Sequence, residues 1–328
     1  MKVGIGAVCR SLGLSVGVAC LLAGPVSAQD YPTRPIRLVV PHAEGSVVDG
    51  LMRILAPRLA DGLGQTVSLE NRPGRGGAEA AESVARAGAD GHTLMIAGTS
   101  SHAVAPATRQ RLGYHPVRDF SAIGQIGAAP MLLLATPGLP VRSVAELIDY
   151  ARAHPYAVSF ASSGRTGLAH LAAEQFRLIA SINLQPVAYK SLALALPDLM
   201  TGQVSLIFEG VVPGLDHARS GALRPLAVTS EKPTPLAPGV PAIAEAALPK
   251  FAVVKWIGLV GPAGLSDRVR DKLQGELYRA LRAEDVRQRF HDLGMEVRAE
   301  GADAFDLLIR REFWRWSKVA GKAGIGAE

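Results

Sequence analysis

The chain has 328 residues, of which 48% are hydrophobic and 20% are charged. This is the composition of a globular protein and it excludes a disordered chain, while the length predicts about two domains. Leaving out residues 1–28, 33 basic and 29 acidic residues remain, a net charge of +4. Because this surplus is weak and is not gathered on one face, we predict no nucleic-acid partner.

The start of the chain has the pattern of a cleaved export signal. Lys2 and Arg10 precede an apolar run over residues 12–23, and the small residues 24–28 suit cleavage before Gln29. The run is shorter than the ~20 residues that span a bilayer. Residues 1–28 are therefore predicted to be a signal peptide and the mature protein to be periplasmic.

Both cysteines, Cys9 and Cys20, lie inside the predicted signal. The alternatives to cleavage are a retained membrane anchor and lipid modification at Cys20. After cleavage no cysteine remains, which excludes thiol nucleophiles and cysteine-ligated zinc.

Strands and helices alternate through the first part of the mature chain. The β-rich run Ile36–Val40 predicts a strand, and apolar residues on one face predict a helix starting near Asp49 and stopped by Gly62 and Gly64. Further strands are expected at 66–70 and 93–97, a helix at 78–87, and loops at 42–48, 71–77 and 98–102.

The alternation returns after residue 143 and predicts an α/β fold of two lobes with mostly parallel sheets. Ser143 and Glu146 form a capping box that opens a helix over Val144–Ala153. Strands are expected at 156–160, 186–189, 204–208, 223–229 and 256–260, and helices at Leu168–Ala180, 192–201, Asp267–Arg282, 285–292 and 302–319. No element is assigned between 103 and 142. In the last helix Phe305, Ile309, Phe313 and Trp316 recur at helical spacing and are expected in the core.

Signatures of catalysis and of cofactor binding are absent from the sequence. There is no Gly-x-Ser-x-Gly elbow, no phosphate-binding loop and no His-Glu-x-x-His pair. We therefore predict no enzyme activity, no cofactor and no metal. A triad of Asp49, His102 and one of Ser100, Ser162 or Ser163 can still be drawn, which keeps an exported Ser-His hydrolase as an alternative.

Two loops with small residues run from a strand end into a helix, at 42–49 and 161–167. The first backbone amides of a helix have no partner inside it and lie at the positive end of its dipole, so each loop is a candidate anion site. The alternative is that Ser and Asp side chains cap both helices and no ligand binds. Ligands of open α/β sheets sit beyond the carboxyl ends of strands, which adds the loops 98–102 and 189–191 and Glu209.

At these loops the sequence resembles the Bug family of extracytoplasmic solute receptors, the substrate-binding proteins of tripartite tricarboxylate transporters. The order and spacing of several stretches carry the resemblance, which runs from about Tyr31 to about Lys318. The stretches are Tyr-Pro-Thr-Arg-Pro-Ile-Arg-Leu-Val-Val-Pro at 31–41, residues 64–77, 89–94, 161–164 with His170 and Leu171, 186–190, 198–204 and 226–230.

The resemblance implies a two-lobed, Venus-flytrap binding protein with a cleft between the lobes. It places residues 29–129 and 251–328 in one lobe and 130–250 in the other. It also implies a monomer that binds a small carboxylate with the backbone donors of loops 42–49 and 161–167 and delivers it to membrane permease subunits. The expected ligand-binding residues are His42, Ala43, Glu44, Gly45, Ser46, Val47, Val48, Asp49, Ser100, Ser101, His102, Ser162, Ser163, Gly164, Arg165, Thr166, Gly167, His170, Tyr189, Lys190, Ser191 and Glu209.

Departures from the family pattern concern the ligand rather than the fold. The family usually has an aromatic residue at His42, glycine at Ser46 and Ser191, and often aspartate at Glu209, and the glycine of the second loop is shifted to Gly167. We also consider that Glu44 and Arg165, on opposing loops, flank a ligand with an amine and a carboxylate. A further alternative is a sensory protein that presents its ligand to a signalling partner.

Overall fold

The structure, a computed structural model, describes residues 31–109 and 111–325. The predicted signal peptide, with Cys9 and Cys20, lies outside the described residues. The strands are β1 (Ile36–Val40), β2 (Val67–Asn71), β3 (Thr93–Gly98), β4 (Phe120–Ala135), β5 (Ser159–Ser162), β6 (Gln185–Ala188), β7 (Leu206–Gly210), β8 (Arg224–Val228), β9 (Val254–Pro262) and β10 (Glu296–Val297). The helices are α1 (Val47–Leu63), α2 (Ala78–Ala85), α3 (Ala105–Thr108), α4 (Val144–Ala153), α5 (Leu168–Ala180), α6 (Leu196–Thr201), α7 (Val211–Arg219), α8 (Ile243–Ala246), α9 (Asp267–Arg282), α10 (Glu284–Asp292) and α11 (Ala302–Lys322). No helix within the described ranges is both long and apolar enough to span a bilayer.

The strands form two groups that are joined through β4. In the first half-sheet the order is β2, β1, β3, β9 and β4, with β10 also paired to β4. In the second half-sheet β4 pairs with β7 and β8, and β5 and β6 continue beyond β7. Strand β4 changes partners between Pro130, which pairs with β9, and Met131, which pairs with β7. Helices flank both groups, and the protein is a two-lobed α/β fold.

The expectation of mostly parallel sheets is wrong. Strands β1, β2 and β3 are mutually parallel, as are β5, β6 and β7, but β4 and β9 run antiparallel to their neighbours. The reason is that β4 carries the chain from the first half-sheet into the second, while β9 returns beside it in the opposite direction.

Strand β4 is the largest element that the sequence analysis missed. Gly124, Gly127 and Pro130 interrupt its apolar pattern, and glycine and proline disfavour strands. The structure accommodates the two glycines at register shifts against β9, between Ala122 and Gly124 and between Gln125 and Gly127. The strand expected from residue 156 begins only at Ser159, and Tyr156 has a left-handed φ of 65°.

Three of the four residues of the last helix that were predicted for the core are buried. Phe305, Ile309 and Trp316 are at most 2% exposed, whereas Phe313 is half-buried and its ring contacts His115. Helix α11 contacts both β4 and α5, so its apolar face joins the cores of the two half-sheets.

Gly77 holds the short turn Arg75–Gly77 against the strand ends. Its φ is 91°, in the left-handed region, and a Cβ there would lie 2.9 Å from Ser101 Cβ and 3.0 Å from Pro41 Cβ. Glycine is therefore needed both for the backbone conformation and for the close approach.

We predict that Gly77→Ala destabilises the protein by about 1–3 kcal/mol, because it adds backbone strain and a steric clash. Chemical denaturation measures the effect. Gly88→Ala is the matched control, since Gly88 has open space around it and no left-handed φ. Equal stability of the two variants would contradict this account of Gly77.

Candidate ligand-binding cleft

A cavity of about 450 Å³ lies where the strand ends of the two half-sheets face each other. Eight of the predicted residues line it: His42, Ser46, Val47, Val48, Ser100, Ser101, Ser163 and Glu209. The other predicted residues do not line it: Ala43, Glu44, Gly45, Asp49, His102, Ser162, Gly164, Arg165, Thr166, Gly167, His170, Tyr189, Lys190 and Ser191. The loops 42–49, 98–102 and 161–167 and Glu209 thus converge, and the 189–191 loop stays outside.

Helix α1 begins at the cavity, two residues earlier than expected. Ser46 is its N-cap, and the Ser46 hydroxyl accepts a hydrogen bond from the Asp49 amide at 3.3 Å. Among the described residues the amides of Val47 and Val48 have no hydrogen-bond acceptor. Capping is thus incomplete, and two amides remain for a ligand at the positive end of the helix.

Helix α5 presents a second incompletely capped N-terminus. Its N-cap is Gly167, which offers no side chain, and within the described part of the chain the Leu168 and Ala169 amides have no acceptor. Leu168 and Ala169 line the cavity. The amides of α1 and α5 therefore reach one cavity from different half-sheets.

The buried side chain of Asp49 holds the loop 42–49 in place. Its side chain is 1% exposed and accepts hydrogen bonds from the Gly45 amide at 2.9 Å, Arg53 Nε at 2.9 Å and Asn71 Nδ2 at 3.0 Å. The hydrogen bond from Arg53, followed by those from Gly45 and Asn71, lowers the pKa of Asp49 to about 2. Asp49 is thus a positioning residue of the loop.

Two Ser-His pairs lie at the wall of the cavity. Ser101 Oγ is 3.0 Å from His102 Nδ1, and Ser162 Oγ is 3.2 Å from His170 Nδ1. Both histidines are buried, at 0% and 3% exposure, and neither lines the cavity. Burial lowers the pKa of His102 to about 3, and it also lowers the pKa of His170. Both imidazoles are therefore neutral groups that hold the loops in place.

The charged pair proposed for an amine and a carboxylate has other contacts. Glu44 forms an ion pair with Arg53 at 2.7 Å, and Arg165 donates to the Gly324 carbonyl at 3.2 Å. Outside the cavity as well, the Tyr189 hydroxyl donates to Asp198 at 2.6 Å. These side chains serve the surface and the loop packing in this structure.

The strand β9 supplies cavity residues that the sequence analysis missed, Lys255 and Trp256. Trp256 is 2% exposed, and its ring packs edge-on against that of Phe305 with 5.6 Å between the ring centroids. It also lines a second groove, of about 820 Å³, beside α11. The sequence did contain a signal for Lys255, because this lysine directly precedes a predicted apolar strand and charged residues are rarely buried without a functional or structural reason.

The N-terminus of α7 and the turn 293–295 also line the cavity and were missed. The sequence Gly210-Val-Val-Pro-Gly214 does not predict the start of a helix, because glycine and proline are poor helix formers. Glu209 Oε1 accepts from the Gly210 amide at 2.7 Å, so this helix start has a carboxylate of its own.

Metal binding has no site in the described ranges, where no group of three His, Cys, Asp or Glu side chains is placed to hold an ion. The absence of a metal and of a cofactor stays a prediction. For a charged group of a ligand the cavity offers backbone amides, Glu209 and Lys255, beside hydroxyl side chains and a mostly apolar lining.

A two-lobed α/β fold with a cleft between its half-sheets is the architecture of solute-binding proteins. The chain belongs to the tripartite tricarboxylate transporter receptor family, whose model matches residues 51–325. The resemblance predicted from the sequence is therefore confirmed.

Similar proteins and similar solved structures agree with this family assignment. The chain is 32% identical over 314 residues to BugT of Bordetella pertussis, covering 95% of this chain and 96% of that protein. It is 34% identical to an R. palustris protein solved with adipate, with a TM-score of 0.76 over 90% of this chain and 99% of that one. It is 31% identical to the periplasmic binding protein BugD, with a TM-score of 0.73 over 91% of this chain and 100% of that one.

We predict that Asp49→Asn flattens the dependence of stability on acid pH. A folded-state pKa of about 2 lies below the ordinary value near 4, so ionised Asp49 stabilises the fold above pH ~4 and this contribution is lost as the pH falls through about 2. The wild type should lose more stability between pH 4 and pH 2 than Asp49→Asn.

Denaturation at fixed pH values measures this difference. Asp61→Asn is the control, because Asp61 is exposed on the same helix and should keep the wild-type slope. The prediction is wrong if Asp49→Asn and Asp61→Asn show the same acid dependence.

Proposed function

We propose that the protein captures a small carboxylate-containing metabolite in the periplasm and delivers it to the permease subunits of a tripartite tricarboxylate transporter. The observation that carries this proposal is that unpaired amides of α1 and α5, from different half-sheets, reach one cavity. The adipate in the R. palustris relative supports a carboxylate as the ligand.

The energy of binding requires both helices. A helix dipole contributes ~0.3–1 kcal/mol, and micromolar affinity requires roughly 8 kcal/mol. Charge-assisted hydrogen bonds contribute ~1.5–3 kcal/mol each, so the four amides of Val47, Val48, Leu168 and Ala169 supply the right order. A carboxylate that bridges them favours approach of the lobes.

We propose that residues 29–129 and 251–328 form one lobe and residues 130–250 the other. We propose also that the protein is a monomer and that residues 1–28 are cleaved on export. The change of β4 partners at Pro130 and Met131 supports the first boundary. A sensory role would use the same cleft with a different partner, and adjacent permease genes would favour transport.

We propose further that the protein does not transform its ligand. Ser163 lines the cavity without a histidine partner in the described residues, while the paired serines Ser101 and Ser162 are 1% exposed. Asp49 is bound by Arg53 rather than by His102. The triad drawn from the sequence therefore has no support in the geometry.

We predict that Ala169→Asp weakens carboxylate binding at least tenfold. Ala169 is the second residue of α5 and is 7% exposed, so an aspartate there places a negative charge at the amides that the ligand would use. An acid in the first turn is favourable for the helix itself, which offsets part of the cost of placing a carboxylate at the edge of the core, so the variant should be less stable than the wild type but folded. Isothermal titration with adipate should show a Kd at least tenfold weaker than for Ala169→Asn.

The Asn variant is the matched control because it has the same shape without the charge. In the wild type, adipate at 100 times its Kd should add about 2.7 kcal/mol to the free energy of unfolding. Equal affinity of the Asp and Asn variants would rule out these amides as the carboxylate site.

We also predict that a broad panel of esters is not hydrolysed and that Ser163→Ala leaves saturable carboxylate binding nearly unchanged. The reason is that no imidazole is in contact with Ser163 to accept its proton in the described structure. Ester turnover that disappears in Ser163→Ala would support the hydrolase instead.

A further inference from the structure

Lys255 is a charged side chain in the cavity that the carboxylate site does not use. It lies on β9 opposite Ala129, next to the point where β4 passes between the half-sheets. Its Nζ lies 3.8 Å from the position that a Cβ on Gly210 would occupy, so the ammonium faces the end of β7. Within residues 31–109 and 111–325 it forms no hydrogen bond and no ion pair.

The groups around Lys255 do not neutralise it. Burial lowers the pKa of Lys255 and the charge of Glu209 opposes this, but the Glu209 carboxylate is hydrogen-bonded to the Gly210 amide at the start of α7 and makes no ion pair with Lys255 among the described residues. His42 is the other titratable group nearby, and burial together with the charge of Lys255 lowers the pKa of His42. His42 is thus neutral, and the ammonium has no contacting counter-ion.

A half-buried ammonium that lines a cavity and has no contacting partner is costly, and an anionic group of the ligand would compensate it. A cationic group at the same place would be repelled. We propose that Lys255 is a specificity-determining residue whose ammonium binds a second acid group of the ligand, while the first is held by the α1 and α5 amides. The proposal rests on the proposed function and narrows its ligand to diacids, at the expense of monoacids and amino acids.

Ligands that differ only at the second group test this directly. The set is adipate, its monoamide and 6-aminohexanoate, together with the four-carbon set of succinate, succinamate and 4-aminobutanoate. Isothermal titration with the wild type should give at least tenfold tighter binding of a diacid than of its monoamide, about 1.4 kcal/mol, and the weakest binding for the amine.

Lys255→Met should weaken the diacid at least tenfold and change the monoamide less than threefold, so that the preference disappears. Lys255→Arg should keep much of the preference because it keeps the charge. Lys250→Met is the matched control, since Lys250 is exposed and outside the cavity, and it should bind as the wild type does.

Three results would overturn the proposal. The first is a wild type that does not distinguish a diacid from its monoamide. The second is equal loss of affinity for both ligands in Lys255→Met, and the third is a Lys255→Met variant that keeps the preference for the diacid. If Lys255→Met does not fold, the wild-type comparison decides. Failure of every acid to bind would instead overturn the proposed function, and the two failures are thereby distinguished.

Discussion

The antiparallel pairing of β4 with β9 is the constraint on which the cleft depends. These two strands carry the chain out of the first half-sheet and back into it, and the pairing reaches Pro130 and Val254 at the change of partners. Because the same pairing sets where β1, β5 and β7 end relative to one another, it brings three helix starts to one cavity. A small register change here would separate groups that lie far apart in sequence.

The electrostatic character of the cavity depends on the helix starts that line it and on the neutral histidines beside it. The Glu209 carboxylate accepts from the Gly210 amide just before α7, and the starts of α1 and α5 retain free amides because a serine and a glycine cap them incompletely. The buried histidines are neutral and contribute shape and hydrogen bonds rather than charge. The result is a cavity whose unpaired donors favour anions over cations.

Sequence reasoning reached the fold class and two loops that converge on the cavity because both leave local signals. Helices such as α4, α5 and α9 were predicted to the residue, since capping residues and apolar periodicity mark them. Strand β4 and helix α7 were missed because their glycines and prolines are tolerated by tertiary contacts that a local pattern does not contain. Lys255 was missed for a related reason, because only the pairing of β9 with β4 shows that it lies at the cavity that Glu209 also lines.

Trp256 gives the cleft an optical property. The chain has three tryptophans, and this indole is buried between the cavity on one side and the groove beside α11 on the other, with no hydrogen-bond partner for Nε1 among the described residues. Trp314 is exposed and Trp316 is enclosed in the core, so only one of the three fluorophores borders the cavity. We therefore expect the emission of an unlabelled sample to include a component that changes when a ligand fills the cavity, and the Trp314→Phe substitution removes the solvent-exposed background from it.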